Sequence, residues 1–440
     1  MRSWVMASLI AGGAAVAQAA PDSSLRPAQR PEALKRAVAT DTAQLAAALR
    51  PAARPQAQAS DQAEDPTTEV GFQNWIREFR ARAMAQGISA GVLDAAFAGV
   101  RLDPEVIRRD RNQSEFTKTI WDYLDSAVSD LRIRNGKAAL QAQQARLEQI
   151  EARYGVEKEI VVAIWGLESS YGSFRGKDDV IRSLATLAYE GRRATFFEGQ
   201  LIAALKILQA GDVEARRMTG SWAGAMGHTQ FMPTSYLEYA VDFTGDGKRD
   251  IWSDNPADAL ASTAAYLKKF GWVKGQPWGV EVTLPDGFDY RLADRKIKRT
   301  AAEWAALGIR AIDGRPVADH GPASILLPAG SKGAAFMIFG NFAVLERYNS
   351  ADAYVIGVGH LADRLRGGDA LQGGWPRGDR ALTLGEREEM QQRLTRAGFD
   401  TDGIDGKIGP KTISAVRAYQ VANGLTPDGY ASLRLLQRLR

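Results

Sequence analysis

The feature that most constrains the fold is a long succession of apolar residues at helical spacing. Phe72, Trp75 and Phe79 recur three and four residues apart. From there to about residue 270, nearly every strong segment keeps this helical period. The segment 157–168 is apolar almost all the way round, which is typical of a buried helix. The pattern therefore predicts a mainly α chain.

Proline and glycine mark several of the predicted helix ends. Pro104, after Asp103, marks the first turn of one predicted helix. Gly155 ends the predicted helix 137–154, and Gly172 lies just after the predicted helix that ends at Glu168. Between about 278 and 330 the pattern changes to a strand over 280–284 and a short helix over 300–307, which predicts a small mixed α/β insertion. The other predicted helices cover residues 137–154, 157–168, 195–209, 256–270, 336–348 and 352–364.

Composition excludes several kinds of site. The 440 residues contain no cysteine, so disulfides, thiolate metal sites and cysteine nucleophiles are impossible. Only three histidines are present, which argues against a histidine-rich metal site. The net charge of +4 is small and the basic residues are scattered, so we do not expect a nucleic-acid partner.

The first residues predict export. Residues 1–20 combine Arg2, an apolar run and the ending Ala17-Gln-Ala, which is the layout of a cleaved signal peptide. Without cysteine the chain cannot carry a lipoprotein anchor, so we expect a periplasmic protein with no membrane anchor. Residues 21–68 are rich in alanine and proline and predict a disordered tether.

The remaining chain divides into two predicted domains. We expect the catalytic domain over residues 69–365 and a glycine-rich linker over 366–380. A compact module over 381–440 follows, with predicted helices at 384–397, 411–423 and 431–439. The predicted fold class is thus mainly α, with the mixed insertion in the first domain and a three-helix module at the C terminus.

Glu168 carries the strongest chemical signal in the chain. It follows Ile164 and Trp165 by four and three residues, so it shares their apolar face. It also lies in the last turn of the predicted helix, at the negative end of the helix dipole. Both effects favour the neutral carboxyl group, which can donate a proton to a leaving glycosidic oxygen. The alternative is a glutamate that reaches solvent at a helix end.

Three motifs, in this order, resemble the lytic murein transglycosylase B family. They are Glu168-Ser-Ser-Tyr-Gly, Gly224-Ala-Met-Gly-His-Thr-Gln-Phe-Met-Pro and Arg347-Tyr-Asn, and the similarity covers about residues 70–365. The resemblance implies a lysozyme-like helical fold and cleavage of the β-1,4 bond between N-acetylmuramic acid and N-acetylglucosamine. The product would carry a 1,6-anhydromuramyl end. No cofactor is implied for this chemistry.

The resemblance also implies that Glu168 acts alone as acid and base, helped by the N-acetyl group of the substrate. Ordinary glycoside hydrolysis uses two carboxylates. The sequence does not exclude a second one, because four acidic residues follow closely: Asp178, Asp179, Glu190 and Glu198. A muramidase that uses water and a wall-binding scaffold without activity are the two alternative functions.

Family matching further implies the residues that contact sugar. Ser221 and Gln230 flank the glycine-containing loop and would lie in the cleft, while His228 receives no catalytic role. Arg192 and Arg193 would face the lactyl or peptide carboxylates, because a guanidinium suits a carboxylate. The other implied contacts are Tyr123, Tyr266, Tyr348, Asn349 and Tyr354.

A segment starting at Asp242 resembles the first half of an EF-hand loop. Asp242, Thr244 and Asp246 occupy the first, third and fifth positions, and Lys248 would offer its carbonyl at the seventh. No glutamate stands at the twelfth position. The closing carboxylate would be Asp258 by family analogy, or Asp254. The sequence thus leaves a structural calcium ion and a metal-free turn as alternatives.

The C-terminal module resembles the peptidoglycan-binding domain of wall enzymes. The resemblance rests on Asp402-Gly-Ile-Asp-Gly-Lys-Ile-Gly-Pro-Lys-Thr and Gly424-Leu-Thr-Pro-Asp-Gly. It implies that peptidoglycan glycan strands are the partner. We expect the protein to be a monomer.

Overall fold

The computed structural model describes residues 68–111 and 118–440. The predicted signal peptide and all but the last residue of the predicted tether lie outside these residues. In the described part the first domain is helical, as predicted. Its helices up to residue 270 are α1 (Glu69–Ala85), α2 (Ala90–Phe97), α3 (Pro104–Arg111), α4 (Ile120–Ala127), α5 (Asp130–Ala142), α6 (Gln144–Tyr154), α7 (Lys158–Ser169), α8 (Val180–Glu190), α9 (Ala194–Ala210), α10 (Pro233–Tyr239) and α11 (Ala257–Lys269).

One predicted helix is wrong in its extent. The segment 137–154 forms the end of α5 and the whole of α6, which meet at Gln143. The backbone of Gln143 leaves the helical region (φ −110°, ψ 16°), and its N–H donates to two carbonyl groups at the end of α5. The break lets α5 pack against α7 while α6 packs against α11. Gly155 ends α6 in the left-handed conformation, as predicted.

The centre of the first domain is α7. Every residue of this helix from Ile160 to Ser169 is buried. It packs against α5, α6 and α11, so a helix that is apolar on all sides finds apolar partners on all sides. The helix ends at Ser169, three residues before Gly172, and Ser170 and Tyr171 both take left-handed backbone angles. The catalytic candidate therefore sits at the end of the most buried helix.

The predicted insertion is a four-stranded antiparallel sheet with one short helix. Across the sheet the strands are β4 (Arg310–Ala311), β3 (Gly279–Thr283), β6 (Ala335–Ile338) and β5 (Ser324–Leu326), in that order. Trp304 is completely buried in a second apolar core, and its Nε1 donates to the carbonyl of Ala323 at 3.0 Å. The short helix is α12 (Ala301–Ala306). The short pair β1 (Asp178–Asp179) and β2 (Thr219–Gly220) lies in the helical part.

The helix predicted over 336–348 is wrong in its first part. Residues up to Ile338 belong to β6, and the helix α13 (Gly340–Tyr348) starts only after it. All four residues of β6 are buried between β3 and β5. A central strand covered on both faces has a continuous apolar run, which periodicity cannot distinguish from a buried helix. The last helix of the domain is α14 (Asp352–Arg366), which packs along α7.

The C-terminal module contains three helices, as predicted. They are α15 (Leu384–Arg396), α16 (Pro410–Ala422) and α17 (Leu433–Leu439). A small core holds them together, with Met390, Leu394, Val416 and Leu436 fully buried. The module touches the α/β insertion, because Asp428 accepts from the Ser331 backbone N–H at 2.9 Å.

The segment predicted as a linker also contacts the first domain. Arg377 forms two hydrogen bonds with the carboxylate of Asp125, at 2.8 and 3.0 Å. The rings of Trp375 and Trp121 lie 6.3 Å apart. Glu281 on β3 accepts from the backbone N–H groups of residues 372 and 373. The predicted fold class, a mainly α chain with a mixed insertion and a helical module, is confirmed.

Candidate functional site

The Glu168 side chain lies inside the protein at the end of α7. It has no exposed surface. The hydroxyl of Tyr354, on α14, donates to its Oε1 at 2.6 Å. Because α14 packs along α7, this hydrogen bond holds the carboxyl group in one orientation. The alternative of a glutamate reaching bulk solvent is therefore wrong.

The carboxyl group of Glu168 influences the pKa of three tyrosines that were predicted as sugar contacts. Burial raises the pKa of Tyr123, Tyr348 and Tyr354, and Glu168 raises each of them further when it is ionised. All three hydroxyls therefore stay neutral and can donate hydrogen bonds. The rings of Tyr348 and Tyr354 lie parallel, with centroids 6.5 Å apart.

Tyr348 connects Glu168 to the loop that carries Gln230. Its hydroxyl donates to the carbonyl of Thr229 at 2.6 Å. Gln230 takes a left-handed backbone (φ 54°), and its Nε2 donates to the carbonyls of Gly227 and Arg175 at 2.9 and 3.0 Å. Its buried Oε1 has no donor among residues 68–111 and 118–440. A ligand N–H can supply that donor.

Asn349, next to Tyr348, offers the complementary group. It is completely buried, and its Oδ1 accepts from the backbone N–H of Ala351 at 3.0 Å. Its Nδ2 is buried without an acceptor in the described part of the chain. Gln230 and Asn349 thus leave one acceptor and one donor without a partner in the described part of the chain, and their contact with an N-acetyl group stays a prediction.

Two other predicted sugar contacts use their polar atoms inside the fold. The Ser221 Oγ accepts from the Ala225 N–H at 3.0 Å and closes the tight turn before the loop. The Tyr266 hydroxyl donates to the carbonyl of Arg347 at 2.5 Å. Both side chains are buried, so their hydrogen bonds stabilise the fold around the site. Their contact with sugar stays a prediction.

Arg192 and Arg193 meet a carboxylate of the protein itself. Both bind Asp110 on α3: Arg192 Nε at 2.8 Å and Arg193 Nη2 at 2.8 Å. Asp110 is 1% exposed. Arg193 also lies over the ring of Phe197 at 4.7 Å. The expected pairing of guanidinium with carboxylate is present, but the sequence did not identify Asp110, and contact with a substrate carboxylate stays a prediction.

His228 fastens the Gln230 loop to α7. Trp165 Nε1 donates to its Nδ1 at 3.1 Å, so its proton is on Nε2, which lies 2.7 Å from the carbonyl of Ser253. Its own carbonyl accepts from Ser169 Oγ at 2.5 Å. Arg175, which sequence reasoning missed, donates to the same Ser253 carbonyl at 2.7 Å. The absence of a catalytic role for His228 agrees with this fully engaged ring.

Protonation of His228 is expected to destabilise the fold in acid. Burial and, less strongly, the positive charge of the neighbouring Arg175 lower its pKa to about 4. Between pH 6.5 and 4 the unfolded chain therefore binds more protons than the folded protein. The free energy of unfolding decreases as the pH is lowered through this window, by about 2 kcal/mol at pH 5 for one such group. We expect His228→Gln to remove that loss in urea unfolding at pH 7 and pH 5. Burial also lowers the pKa of His360 to about 4, so a smaller acid loss remains in the variant.

An equal loss of stability in the wild type and in His228→Gln would contradict this account. Glutamine is the suitable replacement because its amide can accept from Trp165 and donate to Ser253. His360→Gln should remove a similar share of the acid loss, since it removes the other buried imidazole, whose pKa is also lowered to about 4.

The EF-hand-like segment gathers three carboxylates. One oxygen of each of Asp242, Asp246 and Asp258 lies within 4.8 Å of the others. Asp258 is buried on α11, and it accepts from the backbone N–H groups of residues 243, 244 and 250. Asp254 is the wrong alternative for closing the loop, because its exposed carboxylate binds Arg175 at 2.7 Å. The donor set of hard oxygens fits calcium.

Comparison with known families decides what the chain is. A profile of the transglycosylase SLT domain matches residues 71–363, and a profile of a peptidoglycan binding domain matches residues 383–439. The chain belongs to the SLT transglycosylase family. Members of this family act on peptidoglycan as lytic transglycosylases, so the reaction class predicted from the sequence is confirmed.

Solved structures support the transglycosylase assignment. SltB3 from Pseudomonas aeruginosa, in complex with NAG-anhNAM-pentapeptide, is 52% identical, with a TM-score of 0.82 over 84% of this chain and 99% of that chain. The Escherichia coli lytic transglycosylase Slt35, in complex with calcium, is 30% identical. Its TM-score is 0.58, and the match covers 72% of this chain and 98% of that chain.

A curated relative points the same way. The membrane-bound lytic murein transglycosylase B of Escherichia coli K12 is 34% identical over 250 residues, which cover 55% of this chain. The matched part spans 66% of that protein's length. In the described residues of this transglycosylase, no helix combines the length and apolar character needed to cross a bilayer.

Proposed function

We propose that Glu168 is the single acid and base of this transglycosylase. The observation that carries the proposal is the buried carboxyl group held by the Tyr354 hydroxyl. Burial disfavours the charged form, and the surrounding tyrosines are themselves neutral donors. Such a group is suited to giving up a proton and taking one back.

The reaction then proceeds in two proton transfers. Glu168 first donates its proton to the glycosidic oxygen, so that the bond to the muramyl C1 breaks and N-acetylglucosamine leaves. The carboxylate then accepts the proton of the muramyl 6-hydroxyl while that oxygen bonds to C1. The enzyme ends in its starting protonation state, and no water is consumed.

The positions of the other acidic residues support a mechanism with one carboxylate. Asp179 accepts from the Arg182 backbone N–H and caps α8. The remaining three form ion pairs with arginines: Asp178 with Arg109, Glu190 with Arg111 and Glu198 with Arg82. All four carboxylates are engaged by groups of the protein itself, which supports a mechanism without a second catalytic carboxylate.

Mass spectrometry of the products tests this proposal. The transglycosylase should release muramyl ends that are lighter by one water molecule than those of a hydrolase. Hydrolytic ends would establish the alternative, a muramidase that uses water. Intact sacculi after prolonged incubation would establish the other alternative, a wall-binding scaffold without activity.

We further propose that the loop at Asp242 binds a structural calcium ion. Asp242, Asp246 and Asp258 would supply carboxylate oxygens, with the Thr244 side chain and the Lys248 carbonyl completing the set. Gly247 has a positive φ of 85°, as the sharp turn of such a loop requires. Calcium would supply rigidity here and takes no part in the chemistry.

Removal of calcium is expected to lower the melting temperature. A ligand that binds only the folded state at a hundred times its Kd adds about 2.7 kcal/mol. We expect calcium added to chelated protein to raise the melting temperature by several degrees and to give a binding heat in titration calorimetry. Asp246→Asn should remove both effects, whereas Asp254→Asn, outside the carboxylate cluster, should keep them. A melting temperature independent of calcium would refute the proposal.

The domains predicted from the sequence suggest where the protein acts and how it stays close to its substrate. We propose that residues 1–20 direct the chain to the periplasm and that residues 21–68 form a tether. The module at 381–440 would bind peptidoglycan and keep the cleft of the domain at 69–365 near an insoluble substrate. The segment 366–380 would connect them, and the monomeric state stays a prediction.

A further inference from the structure

The turn between α13 and α14 carries three of the side chains at the candidate site. Tyr348 ends α13, Asn349 follows it, and Tyr354 lies in the first turn of α14. The hydroxyl of Tyr354 donates to Glu168 at 2.6 Å. Because this tyrosine is so close to the start of its helix, the place where α14 begins fixes the distance between the hydroxyl and the carboxyl group.

The turn itself gives the start of α14 little support. Its N-cap residue is Ala351, whose side chain cannot accept a hydrogen bond from the first turn. The Ala351 N–H donates to the Oδ1 of Asn349 at 3.0 Å, which closes the turn locally. A helix without a capping side chain has a less stable first turn, so contacts from outside the turn matter more for its position.

Arg295, in the α/β insertion, binds both sides of this turn. One of its Nη atoms donates to Glu346 on α13, and the other donates to Asp352, the first residue of α14. The two carboxylates lie three residues before and three residues after Asn349. A planar guanidinium can bind two carboxylates at once because it carries donors in a fixed fork. Arg295 therefore joins the end of α13 to the start of α14.

Arg295 is held in place by the insertion and by α13. Its carbonyl accepts from the Oγ of Ser324 on β5 at 3.0 Å, and β5 is paired with β6 in the sheet. Its guanidinium lies over the ring of Phe342, 5.3 Å from the ring centre, and Phe342 is buried. The side chain that binds the turn is thus fixed to a sheet outside the helical part of the domain.

Removal of Arg295 would leave two carboxylates close to each other. Burial raises the pKa of Glu346, the charge of Arg295 counteracts this effect, and Asp352 raises the pKa further. The three charged groups therefore interact directly. Without the guanidinium, the carboxylates of Glu346 and Asp352 repel each other, and this repulsion favours a wider turn between the two helices.

We propose that Arg295 is a positioning residue for the transglycosylase reaction. It holds the turn between α13 and α14, so that the Tyr354 hydroxyl stays within hydrogen-bonding distance of Glu168. The inference rests on the proposed function, since Arg295 acts on Glu168 only through Tyr354. It also gives the α/β insertion a role, which is to support the catalytic site from outside the helical part of the domain.

Arg295→Gln is expected to lower kcat about tenfold, because a small displacement of a catalytic contact costs much of the rate. KM should change less than kcat. Arg295→Lys keeps a positive charge between the carboxylates and should recover part of the loss. Steady-state assays on a soluble glycan fragment measure both constants, at a temperature at which circular dichroism shows every variant to be folded.

Arg299→Gln is the matched control for loss of stability. Arg299 belongs to the same insertion and lies over the ring of Trp304, 5.5 Å from the ring centre. Its replacement should lower the melting temperature and leave kcat unchanged, since it does not touch the turn. If Arg295→Gln does not fold, Glu346→Gln takes its place, because it removes the contact with α13 and keeps Arg295 paired with Asp352.

A double-mutant cycle with Tyr354→Phe tests whether Arg295 acts through the tyrosine. We expect the combined loss of kcat to be clearly smaller than the product of the two single losses. Three results would overturn the inference: wild-type kcat in Arg295→Gln, the same loss of kcat in Arg299→Gln, or independent losses in the cycle. Wild-type kcat in Tyr354→Phe would instead contradict the role of the tyrosine in the proposed function, so the two failures are distinguishable.

Discussion

Replacing Glu168 with glutamine is expected to reduce lysis of peptidoglycan by about a thousandfold or more, because it removes the proton that the leaving oxygen needs. The fold should survive, since the amide has the same size and its oxygen can still accept from the Tyr354 hydroxyl. The measurement is the loss of turbidity of purified sacculi, with the anhydromuramyl products counted by mass spectrometry.

Glu198→Gln provides the matched control for this experiment. Glu198 is one of the four acidic residues that the sequence left open, and it binds Arg82 on the surface. Its replacement should leave the lysis rate unchanged. Lysis at the wild-type rate by Glu168→Gln, or a similar loss in both variants, would remove the basis for the proposed mechanism.

Tyr354→Phe is expected to lower kcat by roughly thirtyfold, with the product unchanged. The substitution keeps the ring but removes the donor 2.6 Å from Glu168 Oε1. A hydrogen bond to a charged group contributes about 2 kcal/mol, which corresponds to roughly thirtyfold in rate when the bond is needed in the transition state. Steady-state assays on a soluble glycan fragment would measure the effect separately on kcat and KM.

Tyr266→Phe separates loss of this contact from loss of stability. Tyr266 is just as buried, but its hydroxyl donates to a backbone carbonyl, that of Arg347. Both variants should melt at lower temperature, while only Tyr354→Phe should lose most of its kcat. Equal loss of kcat in both would mean that Tyr354 acts through packing.

The sequence was informative where one local pattern determined the outcome. The apolar face shared by Ile164, Trp165 and Glu168 was enough to predict a buried acid, and the structure places that side chain at zero exposure. The spacing of Asp242 and Asp246 likewise predicted an EF-hand-like loop, and these two carboxylates do converge; Asp258, the third, was implied only by family analogy. Both predictions concern residues within a few positions of one another.

The sequence failed where the outcome depends on distant partners. Asp110 precedes Arg192 by 82 positions, so no local pattern reveals that its carboxylate binds the guanidinium groups of Arg192 and Arg193. The strand ending at Ile338 was predicted as helix because neighbours on both of its sides bury every residue. Apolar periodicity identifies an element that is buried on one face. When both faces are buried, the run of apolar residues is continuous and does not distinguish a strand from a helix.

The position of Asp258 has a consequence for how the EF-hand-like loop responds to ions. This single carboxylate already accepts from three backbone N–H groups of the loop. The Asp258 carboxylate therefore joins the backbone of the loop to α11, and the same group would also serve a bound ion. A substitution at Asp258 would therefore disturb the backbone of the loop as well as ion binding, whereas Asp246 accepts from a single backbone N–H, that of Lys248.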